Sequence, residues 1–125
     1  MYEISVQTHF SAAHHLRGHA GACANLHGHN WDVRVTLGGH TTDELGMLVD
    51  FGLVKARTAE VMRELDHQDL NRLPVFAERN PTSENIARYL FERLAFVLNT
   101  DRCRVVRVQV SETPGTMASY EESPV

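Results

Sequence analysis

The chain has 125 residues, 42% of them hydrophobic and 22% charged, which suits one globular domain (1–125) with material for one core rather than two. Its formal net charge is −4 and no block of Lys or Arg stands out, so a nucleic-acid partner is not expected. No apolar run is long enough for a membrane span, and Met1–Ser5 lacks the basic and apolar regions of a signal peptide, so a cytoplasmic location is expected.

Residues 2–14 alternate. Tyr2, Ile4, Val6, Phe10 and Ala12 fall on one parity and Glu3, Ser5, Gln7 and His9 on the other, which predicts a half-buried strand. His14 shares the apolar parity and His15 does not. A β-bulge would reverse that choice. Residues 16–26, with Gly18, Gly21 and Asn25, read as a loop that carries Cys23. Residues 27–37 predict a second strand with His27, His29, Trp31, Val33, Val35 and Leu37 on one face, and Gly38-Gly39 marks its break.

Asp50 is a plausible N-cap for a first helix. Val54, Thr58, Val61, Met62 and Leu65 follow at helical spacing. Residues 66–82 form a long connection ending at Asn80-Pro81. Thr82 or Ser83 then caps a second helix, with Glu84 in its first turn, where the helix dipole favours an acid. Ile86, Leu90, Leu94 and Val97 line its face, widened by Ala87, Phe91 and Leu98. Arg104 to Glu112 alternates again, with Val106, Val108 and Val110 sharing a face with Glu112. Pro114-Gly115 is a turn, and 117–122 completes a short last strand. Strands and helices that segregate in this order predict an α+β fold, two helices on one face of an antiparallel sheet.

Four side-chain groups could carry chemistry. His14, His27 and His29 all fall on inward parities. Burying several imidazoles without partners costs roughly a few kcal/mol each, and a metal removes that cost. Three neutral nitrogens leave zinc at +2 with an open position, suited to activating water or polarising a substrate oxygen. Cys23 is either a fourth, site-closing ligand or a thiolate beside the metal acting as a base. Asp66-His67, at a fraying helix end, reads either as members of one hydrogen-bonded catalytic cluster or as loop structure, with Asp66 satisfying backbone groups of the long loop and His67 sitting near the helix C-terminus. Glu112 is either a ligand-binding acid or the point where its strand reaches water. Cys103, on the opposite parity from the valines of its strand, reads as structural. Two cysteines do not make a disulfide framework, although a single bridge stays open.

These residues stand in a recognisable series: Phe10-Ser11-Ala12-Ala13-His14, Cys23-x₃-His27-Gly28-His29, Val49-Asp50-Phe51, Leu65-Asp66-His67-x₂-Leu70-Asn71, Asn80-Pro81-Thr82-Ser83-Glu84-Asn85 and Glu112-Thr113. In this order the chain resembles the 6-pyruvoyl- and 6-carboxy-tetrahydropterin synthase family, nearly end to end. The resemblance implies the tunnelling (T-) fold, a four-stranded antiparallel sheet with two helices on one face, and assembly as a homo-oligomeric hexamer, a dimer of trimers with interface active sites. It implies that His14, His27 and His29 hold Zn²⁺, that Cys23 is the base, that Asp66 and His67 complete a proton relay, and that Glu112 anchors the pterin ring. The short Cys-x₃-His gap is similar to the 6-carboxy branch. That branch converts 7,8-dihydroneopterin triphosphate to 6-carboxy-5,6,7,8-tetrahydropterin, acetaldehyde and triphosphate, on the way to queuosine and related 7-deazapurines.

Ser111 stands where many relatives have Lys, and His15 and His19 are extra imidazoles in a short loop. Arg17 and Lys55 are candidates for the triphosphate. Three rivals make different predictions. A 6-pyruvoyl sibling yields no acetaldehyde. A non-catalytic zinc-stabilised binding module has its thiol on the metal. A zinc hydrolase cleaves esters or amides without lyase products.

Overall fold

The computed structural model describes residues 1–123. It has five strands, β1 (Tyr2–His14), β2 (His27–Gly39), β3 (Gln68–Asp69), β4 (Arg104–Ser111) and β5 (Ala118–Glu121), and two α-helices, α1 (Phe51–Met62) and α2 (Ser83–Leu98). The strands form one sheet in the order β3-β1-β2-β4-β5. Four of the strands, β1, β2, β4 and β5, are joined by three antiparallel pairings, as the T-fold expectation requires. The fifth strand is a correction to the four-stranded expectation, because β3 adds two residues parallel to the outer edge of β1, opposite Ala12 and Ala13. Gln68-Asp69 carries no alternating pattern, and only the turn at His67 brings it there.

β1 and β2 pair without a slip from Tyr2↔Gly39 to His14↔His27. The alternation expected of β1 is observed, with Val6, Phe10, Ala12 and His14 buried and Glu3, Ser5, Gln7 and His9 exposed. The inward faces of β1, β2 and β4 meet the apolar faces of both helices in one cluster around Phe10, Trp31, Val54, Leu65, Leu90 and Val108. Phe10 and Trp31 are cross-strand partners whose rings stack 5.7 Å apart, an arrangement in the favourable range for aromatic pairs. They floor the end of the sheet where the histidines lie.

The two helix starts follow their caps. Asp50 accepts from the Gly52 N–H at 2.8 Å, and Thr82 accepts from the Asn85 N–H at 3.1 Å, each satisfying a donor that the first turn leaves free. Two details differ from the sequence pattern. β2 runs on through Gly38-Gly39, because a side chain at Gly39 would overlap the Arg102 carbonyl and Leu48, so glycine here admits the neighbouring loop instead of ending the strand. The β2–β4 register shifts between Thr36 and Leu37, which pair with Arg107 and Val105 and leave Val106 as the extra residue. This bulge puts Val105 in the core cluster in place of Val106. Among the described residues no helix is long and apolar enough to cross a membrane, and both cysteines are free thiols.

Candidate metal centre and its surroundings

The hairpin register builds the centre. His14 closes β1 directly opposite His27, and Ala12 lies opposite His29. Side chains two apart on a strand share a face, so His27 and His29 flank the inward-pointing His14. The ring centroids lie 4.5 Å (His14–His27), 5.3 Å (His14–His29) and 4.9 Å (His27–His29) apart, all edge to face. Trp31 packs its ring against both His14 and His29, and its indole N–H donates to the Ala12 carbonyl at 3.3 Å. The floor of the centre is therefore rigid. The inward parity of His14 holds, and His15 is instead tied through its backbone to Asn71.

The protons of two of the three imidazoles are set by carbonyls. His14 Nδ1 lies 2.7 Å from the Pro81 carbonyl, and His27 Nδ1 lies 2.7 Å from the Asn25 carbonyl. A carbonyl only accepts, so both Nδ1 atoms donate, and each neutral ring presents an Nε2 lone pair. This tautomer leaves Nε2 free to bind a metal. Burial, opposed by the Pro81 bond, lowers the pKa of His14 below its ordinary value and so favours the neutral form that a metal needs.

Glu112 follows the last residue of β4 on the inward parity. Its Oε2 lies 3.1 Å from His29 Nε2 and 3.5 Å from His14 Nε2. Those contacts are close in distance, yet the buried Nε2 atoms of His14 and His29 have no hydrogen-bond partner of acceptable geometry. Two orphaned buried nitrogens are costly, and a cation between them and the carboxylate resolves the cost. The ligand atoms of His14, His27, His29 and Glu112 all lie within 4.8 Å of one another, and Cys23 is outside this group. The residues present thus fit a divalent metal. Cys23 sits half-buried in a 3₁₀ turn at Ala22–Ala24, where its carbonyl accepts from the Leu16 N–H at 2.7 Å.

Asp66 and His67 sit at the other side of β1. Asp66 Oδ1 accepts from the Ser11 N–H at 2.8 Å and its Oδ2 lies 2.9 Å from His67 Nδ1. The Ser11 bond first, and then His67, hold the Asp66 carboxyl below its usual range. The His67 backbone has φ +58° and donates its N–H to the Ser11 carbonyl at 2.6 Å. A left-handed histidine is uncommon, and here it leaves the imidazole 82% exposed with Nδ1 held by Asp66. An open depression of about 550 Å³ runs from His67 along Ser11, Ala13, Gly28 and Asn30 to His29. His67 and His29 thus border one depression, while Asp66, His14 and His27 are not among its lining residues.

Residues 3–123 match the family model for 6-pyruvoyl tetrahydropterin synthase. The chain is 33% identical over 126 residues to the 6-carboxy-5,6,7,8-tetrahydropterin synthase of Bacillus subtilis, covering 95% of this chain and 84% of that one. It is 41% identical over 103 residues to a putative enzyme of that name from Archaeoglobus fulgidus, covering 82% and 84%. The solved 6-pyruvoyl tetrahydropterin synthase of Caenorhabditis elegans superposes with a TM-score of 0.88 at 30% identity, over 98% of this chain and 96% of that one.

The chain belongs to the 6-pyruvoyl tetrahydropterin synthase family. Family membership makes it a tetrahydropterin synthase-type enzyme with a pterin substrate. Other residues gain a different meaning from the structure. The Arg17 guanidinium donates to the carbonyls of Phe76 and Arg79 at 2.7 and 2.8 Å, so it ties loops together and is not a free phosphate-binding group. Burial raises the Cys103 pKa and, with its place in the core, makes that thiol structural. Asn71, Asn80 and Asn85 had no role in the sequence reading beyond belonging to motifs. Asn71 and Asn80 bond to the distant backbone of His15 and Arg17, which spacing does not reveal, whereas Asn85 bonds locally to the Asn80 carbonyl.

Proposed function

We propose that the chain, acting as one domain, is a zinc-dependent carbon–carbon lyase. It would convert 7,8-dihydroneopterin triphosphate to 6-carboxy-5,6,7,8-tetrahydropterin, acetaldehyde and triphosphate. The observation that carries this reading is the convergence of His14, His27 and His29, two of them with Nδ1 committed to carbonyls and Nε2 aimed inward. The names of the Bacillus and Archaeoglobus relatives and the short Cys-x₃-His spacing favour the 6-carboxy branch.

Zinc held by the three imidazoles supplies a Lewis acid that makes protons beside the substrate's side-chain hydroxyls more acidic. The chain's own residues do the rest. Cys23 takes a side-chain proton as thiolate. Asp66 fixes the His67 ring through Nδ1, leaving Nε2 to carry protons to and from the substrate. Glu112 accepts hydrogen bonds from the amino-pyrimidine edge of the pterin and positions the reacting carbon. Trp31 and the strand ends hold the imidazoles against reorganisation. The functional enzyme is a cytoplasmic hexamer, two trimers paired, in which Cys23 of one subunit meets Asp66 and His67 of a neighbour. Its product feeds queuosine or a related 7-deazapurine.

Incubation with 7,8-dihydroneopterin triphosphate tests this. Acetaldehyde and the carboxylated pterin are expected in equal amounts, together with triphosphate. The likeness to the Caenorhabditis structure favours a second reading, the 6-pyruvoyl reaction, which would release triphosphate without acetaldehyde.

A further inference from the structure

We propose that Glu112 is a two-position carboxylate. Without substrate it closes the coordination of the metal held by His14, His27 and His29, and it leaves the metal when a pterin ring arrives. This inference rests on the metal-centre reading and deepens it.

Geometry is the first support. Tetrahedral zinc with bonds of about 2.0–2.1 Å places its ligand atoms about 3.3–3.4 Å from each other. Glu112 Oε2 lies 3.1 and 3.5 Å from the Nε2 atoms of His29 and His14, which brackets that edge length on two edges, while its edge to His27 is longer, within the 4.8 Å that spans the cluster. Chemistry is the second. With the His14 Nδ1 proton given to Pro81, its Nε2 shows a lone pair to an oxygen that has only lone pairs. Two acceptors pressed together in a site where His14 is 2% exposed repel each other unless a cation lies between them. The third support is the absence of a competing role. The carboxylate makes no hydrogen bond to any described group, and it is the one acidic side chain in the cluster.

Freedom to move completes the case. Glu112 is 35% exposed and begins a turn that closes on itself. Ser111 Oγ donates to the Thr113 carbonyl, and the Thr113 and Thr116 hydroxyls pair at 3.0 Å. The backbone around Glu112 is thus fixed while its side chain is bound to nothing that would stop a rotation. A carboxylate shared in this way makes metal and pterin compete. Each must weaken the other's binding by the same factor. The metal stays covered until a ring draws Glu112 away and opens one position toward the substrate's side chain.

The test uses the full chain. Zinc affinity is measured by competition with a chromophoric chelator for the wild type and for Glu112→Gln. Visible spectra of the Co²⁺-loaded proteins are recorded with and without pterin, a ring lacking the side-chain hydroxyls. Glu112→Gln should weaken zinc binding at least about 10-fold, the lower end of what even outer-shell substitutions cost. Pterin should change the cobalt bands of the wild type, and the Glu112→Gln spectrum without pterin should resemble the pterin-bound wild type. The wild-type cobalt measurement needs no variant. The proposal is overturned if zinc affinities agree within about twofold and the wild-type cobalt bands do not move while pterin fluorescence shows the ring bound. If the wild type binds no metal, the metal-centre reading falls with it. If metal binds and acetaldehyde forms but the spectra superimpose, the exchange alone is wrong.

Discussion

His67→Gly separates a strained backbone from a working side chain. His67 holds φ +58°, and the left-handed region costs an L-residue about 1–2 kcal/mol. Glycine removes that cost but brings about 0.5–1 kcal/mol of extra unfolded-state freedom. The exposed contact with Asp66 is lost, and it adds little in high dielectric. The backbone bond from the His67 N–H to the Ser11 carbonyl survives the change. The balance is between about 0 and 1.5 kcal/mol in favour of glycine, less the small Asp66 contact. For 125 residues, an unfolding entropy of roughly 2.1 cal/mol/K per residue turns 1 kcal/mol into about 4 °C. Thermal unfolding at fixed protein and zinc concentration should therefore show an unchanged or slightly higher Tm. Acetaldehyde release should fall at least about 100-fold, the lower range for loss of a general acid–base. A Tm lower by more than about 4 °C would show that the imidazole is structural, and full turnover would remove it from the relay.

Three further outcomes test separate parts of the protein. Cys23→Ala should keep one zinc per chain, by metal analysis, and lose turnover; zinc falling with the thiol would make Cys23 a ligand and not the base. Asn85→Ala removes the bond from its Nδ2 to the Asn80 carbonyl (2.8 Å) and should loosen zinc about 10-fold through the adjacent Pro81, with chelator competition as the measurement and unchanged affinity as the contrary result. Glu64 accepts from Arg93 and Tyr89, and Arg93 first, then Tyr89, lowers its carboxyl pKa, while burial and the Glu64 partner push Tyr89 up to about 12. A depressed carboxyl contributes stability that is complete above its ordinary 4.5 and is lost as pH falls through the folded value. Glu64→Gln should thus cost about 1 kcal/mol near neutrality, discounted for a side chain one-third exposed, and urea unfolding should show that difference shrinking in acid; a constant difference down to strongly acidic pH would refute it.

Parity made much of the molecule legible. It separated His14 from His15, aligned His27 with His29 and placed Glu112 on the inward stripe. The side-chain oxygens of Asp50 and Thr82 marked both helix starts. What stayed hidden depends on chain segments that are distant in sequence. The hairpin register that sets His14 against His27 passes through a twelve-residue loop, 15–26, whose composition does not define it. The bulge at Val106 arises from the partner strand, and two valines in a row read equally well on either face. β3 has no pattern because two residues cannot show one. Arg17 looked like a free cation because the carbonyls that hold it lie some sixty residues away.

The asparagine motifs explain how a site made from strand ends stays ordered. His14 gains its orientation from the Pro81 carbonyl, and Pro81 sits where α2 begins. Asn85, in the first turn of α2, donates to the Asn80 carbonyl, while Asn80 exchanges two bonds of 2.9 Å with the Arg17 backbone. Arg17 in turn grips the carbonyls before Asn80, and Asn71 does the same for His15. The loop leaving the metal centre is thereby bonded to the start of a helix that packs its whole apolar face into the core. His14 and His27 are each fixed in orientation by a carbonyl, so movement at the centre falls to a group outside this network. Glu112 and His29 are the members of the cluster without a side-chain hydrogen bond, but His29 is packed against His14 and Trp31, which leaves the more exposed Glu112 as the part of the centre able to exchange between metal and ring.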